Sequence, residues 1–193
     1  TYSSHTTSGN YYIWGSQIEA GSYATSYIPT SGSTVTRNQD IFTRDGIGSL
    51  INSTEGVLFA EFAAFESTVS QETAFSINDG SNNRLLIRFK TDGKIGFIAY
   101  TNGVGVRAIG ETGVLDQSLN RKIALKYKEN DYALWIDGVE VVVDTVATTF
   151  SSGALNILSL EQGNNSNYLY GKVKQLQVYK TALTDVQLAA LTS

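Results

Sequence analysis

Side chains that could act as nucleophiles or bind soft metals are scarce in this chain. Cys is absent from its 193 residues, and the one histidine, His5, lies in a Ser/Thr-rich stretch near the start. Disulfides, thiolate metal sites and Cys nucleophiles are therefore excluded together. A Ser-His-Asp triad or a His-based zinc site would have to rest on His5 alone. Glycoside hydrolysis needs two carboxylates held about 5–10 Å apart. Glu61 stands alone in the apolar run Gly56–Phe65, and Glu140 sits beside the turn Asp137-Gly138. Oxygen ligands are more plentiful. Asp79, Asn82 and Asn83 form one oxygen-rich loop, and Asn164, Asn165 and Asn167 another. A hard cation such as calcium takes ligands of this kind, with Asp79 and Asn82 the preferred pair. Neither loop follows an EF-hand pattern, and amide-rich loops also serve simply as turns. No cofactor is required by any of these residues.

Sugar recognition makes a different demand: an aromatic face for the ring and planar polar groups for its hydroxyls. Strand alternation supplies candidates. With Leu134 and Ile136 inward, Trp135 lies on the outer face, beside Ala124 and Lys126 of the preceding strand. With Leu85, Ile87 and Phe89 inward, Arg84, Leu86, Arg88 and Lys90 point outward. Asn102, Asn165 and Tyr168 lie in or next to loops. Together these residues predict a cationic and aromatic platform for an acidic polysaccharide, with stacking on Trp135 or Tyr168 and hydrogen bonds from Arg84, Arg88 and the Asn side chains. The competing expectation is that Trp135 is covered by a terminal helix or by the N-terminal arm, and that the outward Arg and Lys are a solvated face.

The elements that must position these residues are strands. The chain has 18 Gly, 1 Pro and 11 Tyr. Asp-Gly recurs at Asp45-Gly46, Asp79-Gly80, Asp92-Gly93 and Asp137-Gly138, and Asn-Gly at Asn102-Gly103; such pairs accept the positive φ of tight hairpins. They separate the runs Arg84–Lys90, Lys94–Tyr100 and Val104–Ile109, a three-strand meander. Further strands are predicted at Gly56–Phe65, apolar on both faces, and at Arg121–Lys128, Tyr132–Ile136, Val139–Asp144, Ala154–Leu160 and Gly171–Tyr179. Thr184-Asp185-Val186-Gln187 has the form of a capping box, so a short C-terminal helix is expected to lid the sandwich. Little else reads as helix, and short strands at this spacing indicate an all-β sandwich or barrel. A net charge of −4 and a pI near 5.0 argue against a nucleic-acid binder. No apolar run approaches the roughly 18–20 residues that cross a bilayer.

The first forty residues differ in kind. Tyr11–Glu19 reads as a strand, and residues 21–39 as a Gly/Ser/Thr linker that cannot fold alone. With no Met in the chain, the expectation is a processed or excised piece of something longer.

Two stretches carry a family resemblance. Residues 168–179 (Tyr-Leu-Tyr-Gly-Lys-Val-Lys-Gln-Leu-Gln-Val-Tyr), with Thr-Ala-Leu-Thr-Asp-Val-Gln-Leu at 181–188, resemble the end of laminin G-like, concanavalin A-like jelly-roll domains. Ala133-Leu134-Trp135-Ile136-Asp137-Gly138-Val139 is similar to a hairpin of that family. The resemblance covers about residues 40–193 and implies a two-sheet antiparallel jelly-roll sandwich with one short C-terminal helix and an extended N-terminal arm. Residues 12–30 resemble a junction in modular phage tail and marine bacterial surface proteins, which implies that residues 1–20 are the last strand of a preceding module. Laminarinase-like enzymes of this fold carry Glu-x-Asp-x-x-Glu on one strand, and alginate-lyase-like ones an Arg, a Gln-x-His and a Tyr-rich strand; this chain has neither. The resemblance thus implies a non-enzymatic, lectin-like adhesion module on a virion or bacterial cell surface, contacting a cell-surface or algal polysaccharide. The alternatives are an assembly module joined to neighbours, or to further copies, by strand addition through residues 1–36, and a polysaccharide-degrading enzyme.

Overall fold

The computed structural model describes residues 10, 12–19, 26–36, 41–66, 68–102 and 104–193. The chain divides into two compact units, Thr1–Asp40 and Ile41–Ser193.

Among its described residues the larger unit holds eleven strands and one α-helix. In chain order these are β1 (Thr43–Arg44), β2 (Glu55–Ala64), β3 (Thr73–Asn78), β4 (Arg84–Phe89), β5 (Ile95–Thr101), β6 (Val104–Glu111), β7 (Arg121–Lys128), β8 (Tyr132–Ile136), β9 (Val139–Asp144), β10 (Ile157–Ser159), β11 (Gly171–Tyr179) and α1 (Asp185–Thr192). They form a six-stranded sheet, β1-β10-β3-β4-β5-β6, and a five-stranded sheet, β11-β2-β7-β8-β9. Every pairing is antiparallel. The architecture is the expected jelly-roll sandwich. Its turns are closed by residues in the left-handed region, among them Asn102 (φ 53°), Asp137 (φ 49°) and Gly93 (φ 79°).

The main core lies between the sheets. Leu58, Ala60 and Phe62 of β2, Phe75 and Ile77 of β3, Leu85, Ile87 and Phe89 of β4, and Ile123, Leu125, Leu134 and Ile136 of β7 and β8 meet there, all nearly inaccessible to water. Burying each such side chain contributes about 1.5–3 kcal/mol. Two phenols in this core keep partners: the Tyr127 hydroxyl donates to the Asn52 carbonyl at 2.6 Å, and Tyr132 to the Thr148 carbonyl at 3.0 Å.

A second, smaller core lies on the outside of the five-stranded sheet. The capping box at Thr184 and Gln187 starts α1 as its sequence predicts. The helix inserts Leu188 among Val57, Phe59, Ala124, Ala133 and Trp135. Strand β2 is apolar on both faces because one side meets the main core and the other meets this helix. The Lys126 ammonium lies 3.3 Å from Asp185 and 2.6 Å from Asp131. Burial alone would lower its pKa, but the two carboxylates outweigh burial and hold it above the usual lysine range.

Three differences from the sequence reading stand out. Strand β3 was not legible, because its outer residues Ser76 and Asn78 are polar yet fully buried. Strand β10 keeps only three residues of the longer run Ala154–Leu160. In the smaller unit, residues 12–19 form no strand. There the Gln17 amide accepts from the Ile28 N–H at 2.8 Å and donates to the Ser26 carbonyl at 3.5 Å, and Trp14 meets Tyr27 edge-on at 5.8 Å. Residues 1–9, 11, 20–25, 37–40, 67 and 103, including His5 and the glycine of the predicted Asn102-Gly103 turn, lie outside the described residues.

Candidate functional site

The predicted platform divides between two opposite surfaces. Trp135 belongs to β8 in the five-stranded sheet, whereas Arg84 and Arg88 belong to β4 in the six-stranded sheet. The outer faces of stacked sheets point in opposite directions, so no single ligand spans these residues. Trp135 is on the outer face, as alternation requires, but it is only 7% exposed because α1 covers it, and its indole N–H has no partner among the described residues. The expectation of an open stacking platform at Trp135 is therefore corrected: the helix occupies the place a sugar ring would take.

Arg88 is also committed. Its guanidinium lies 3.2 Å from Glu111 and 3.6 Å from Glu72, in a network that joins Lys90 and Lys94 to Glu111. The hydrogen bond from Lys90 is the main cause holding the Glu111 carboxyl below its ordinary pKa. Arg88 is thus a structural ion-pair residue on its face, about 13 Å along the strand from Arg84.

Around Arg84 the structure gathers what the sequence scattered. Arg84 pairs with Asn78 of β3 on one side and with Tyr100 of β5 on the other. Its guanidinium lies over the Tyr100 ring, 4.4 Å from the centroid, a cation–π arrangement. Gly163 closes over it: a Cβ there would come within 2.9 Å of both Arg84 Cδ and Asn78 Cβ. Arg84 is 8% exposed, and its Nε and Nη1 have no hydrogen-bond partner among the described residues. The β5–β6 hairpin joins the same rim, since the Asn102 N–H donates to Asn83 Oδ1 at 3.2 Å. Asn82, Asn102, Asn164 and Asn165 present exposed amides there, two of them from left-handed positions. Tyr168 is half-buried five residues past Gly163, at the far end of that loop.

Asp79 is an organiser of this rim. Its Oδ1 accepts the N–H groups of Ser81, Asn82 and Asn83 at 2.8–3.0 Å, and its Oδ2 accepts the Asn83 amide at 2.7 Å. Burial would raise its pKa, but these donors outweigh burial and hold it below the usual aspartate range. A calcium ion needs six to eight oxygen ligands. The Asp79 oxygens are largely spent on the turn, and the described residues contain no group of three His, Asp or Glu that would hold a metal. The loop around Asp79 and Asn82 does not fit a calcium ion.

Sequence reasoning missed Glu161. It is 5% exposed, and its carboxylate accepts the Asn164 and Ser166 N–H groups at 3.0 and 3.3 Å. Its backbone carbonyl accepts the Ser76 hydroxyl at 2.9 Å. An acid followed two residues later by Gly and a run of Asn was the available signal.

Among the described residues of the rim the carboxylates are Asp79 and Glu161. Both carboxylates beside Arg84 are held by backbone N–H groups. On the other sheet, Glu61 accepts from Lys174 at 2.7 Å and from the Asn120 amide. The Lys174 bond chiefly, then the Asn120 bond, keeps it below its ordinary pKa. Glu140 lies three strands away, about 14 Å, too far for an acid pair.

A laminin G-type family model, described as the Concanavalin A-like lectin/glucanases superfamily, matches residues 60–189. No curated protein matches the sequence. Among solved structures, the CBM40 of Ruminococcus gnavus IT-sialidase bound to alpha2,3 sialyllactose is 18% identical, with a TM-score of 0.58 over 72% of this chain and 83% of that one. A native heptameric SAP-like pentraxin from Limulus polyphemus is 16% identical, with a TM-score of 0.56 over 75% and 72% of the two chains. Domain 4 of AbnA, a GH43 extracellular arabinanase from Geobacillus stearothermophilus, solved with arabinotriose, is 17% identical, with a TM-score of 0.55 over 81% and 82%. At such identities the likeness is one of fold.

Proposed function

We propose, for a chain that belongs to the Concanavalin A-like lectin/glucanases superfamily, the function of a non-catalytic carbohydrate-binding module. The observation that carries the reading is the rim around Arg84, where exposed Asn side chains from three loops surround a buried guanidinium and the Tyr100 ring. Amides offer donors and acceptors in one plane, which suits adjacent sugar hydroxyls. Sialyllactose and arabinotriose complexes on the same fold support the reading. The absence of a poised acid pair at Glu61 and Glu140 disfavours the polysaccharide-degrading alternative. In this proposal the module is extracellular, displayed on a virion or bacterial cell surface, and gains attachment from many weak copies.

A glycan array with the whole chain tests it. Binding that falls about tenfold in Asn102→Gly and Asn165→Gly is expected; glycine keeps the positive φ while removing the amide. An array without any ligand refutes the function.

One observation favours a second reading, assembly through the smaller unit. Tyr12, Ile13, Trp14 and Ile18 are 85–102% exposed. Three bulky side chains in a row bare to water are a liability that strand addition to a neighbour would remove. Deleting residues 1–36 and measuring solution mass decides it: an unchanged mass refutes assembly by this segment.

A further inference from the structure

We infer a second sugar subsite at the opposite end of the six-stranded sheet, in a cavity bordered by Thr73 and Tyr170. The ligand class rests on the carbohydrate reading above; the location rests on the cavity and its lining. The cavity measures about 170 Å³ and is lined by Val69, Ser70, Gln71, Thr73 and Tyr170. It lies between the β2–β3 loop and the start of β11. Thr73 and Asn78 occupy the two ends of β3, about 17 Å apart, so this site is separate from the rim at Arg84.

Two independent observations point to a ligand. The first is an orphaned donor. Thr73 is 1% exposed and lines the cavity, yet its hydroxyl has no hydrogen-bond partner among the described residues. A buried hydroxyl without a partner is costly, and such groups are normally satisfied. The second is an aromatic edge beside the opening. Tyr170 and Phe65 are 42% and 36% exposed and meet edge-on, with centroids 4.8 Å apart. The Lys172 ammonium lies 6.0 Å from the Phe65 centroid.

The size and chemistry select the ligand. The volume equals about six waters, well below the roughly 300 Å³ at which drug-sized sites begin. It suits one ring. Val69 supplies an apolar wall that is 2% exposed, while Ser70 and Gln71 are exposed polar residues. A pyranose has an apolar face and a hydroxylated edge: the face packs on Tyr170, and a ring hydroxyl satisfies Thr73. Two subsites on one module would let a single glycan chain, or two branches, engage with avidity.

The test is an amide NMR titration of the whole chain with 3′-sialyllactose, 6′-sialyllactose and arabinotriose. The inference expects shifts at Gln71, Thr73 and Tyr170 with at least one of them. Tyr170→Ala should weaken those shifts about tenfold, and Thr73→Val, which preserves shape and removes only the hydroxyl, should weaken them as well. Shifts confined to Asn102 and Asn165 overturn the second subsite and leave the proposed function standing. Shifts at the cavity that Thr73→Val leaves unchanged also overturn it. Silence at every amide with all three sugars overturns the second subsite, whereas the proposed function is decided by the glycan array.

Discussion

Removing the side chain that holds the terminal helix down gives the most demanding check on how Trp135 is covered. Leu188 has no exposed surface and packs against Val57, Phe59, Ala124, Ala133 and Trp135. Leu188→Ala deletes three carbons, so the transfer loss is about 2.4 kcal/mol at ~0.8 kcal/mol per carbon. A cavity left behind would add up to about 2.5 kcal/mol more. Helix α1 is a lid on an outer face, and it can settle inward in a way a central strand cannot. The lower half of the range is therefore expected, about 2.5–3.5 kcal/mol. For a body of this size that is a fall in Tm of about 10 °C. The assay is urea denaturation followed by tryptophan emission in a Trp14→Phe background, since Trp14 is 85% exposed and would mask the signal. In that background the native emission should be blue and poorly quenched by acrylamide. Leu188→Ala should shift it red and raise quenching. A loss under about 0.5 kcal/mol, or red and freely quenched emission from the unaltered lid, would refute the claim that α1 seals the indole.

Further expectations concern the rest of the larger unit. Gly163→Ala forces a Cβ to within 2.9 Å of Arg84 and Asn78 at φ +88°, so it should cost about 1–3 kcal/mol, read as a lower denaturation midpoint. Ser53→Ala leaves the Leu155 N–H, now bonded to the Ser53 hydroxyl at 2.9 Å, buried without a partner; a loss of about 1–3 kcal/mol is expected from the same measurement. Burial pushes the Tyr132 phenol up to about 12. Because the unfolded phenol titrates near 10 and releases its proton first, this contribution is complete below pH 10 and is lost between pH 10 and about 12. It amounts to roughly 2–3 kcal/mol. Denaturation midpoints across that window should fall less steeply in Tyr132→Phe, and an unchanged slope would refute the assignment.

The strands and turns were legible because their causes are local. Asp-Gly and Asn-Gly pairs fix where the chain reverses whatever surrounds them, and Gly80, Gly93 and Gly138 do sit at positive φ. Alternation likewise fixed that Leu85, Ile87 and Phe89 share one face and Arg84, Leu86 and Arg88 the other. The Thr184–Gln187 box fixed the start of α1, since both partners lie within one turn. Strand β3 escaped because Ser76 and Asn78 look solvent-facing until Ser159 and the backbone of Glu161 are brought to meet them.

A period of two says which side chains lie together, but it carries no information on which sheet a strand joins or on what covers its outer face. Those are matters of contacts between residues far apart in the chain. Only the folded sandwich sent β4 and β8 to opposite sheets, laid α1 over Trp135, and turned Asp79 from a candidate ligand into the clasp of its own loop. The same long-range packing drew Asn102, Asn165 and Arg84 to one rim, and left the Thr73 hydroxyl without a partner among the described residues at the other end of the strand.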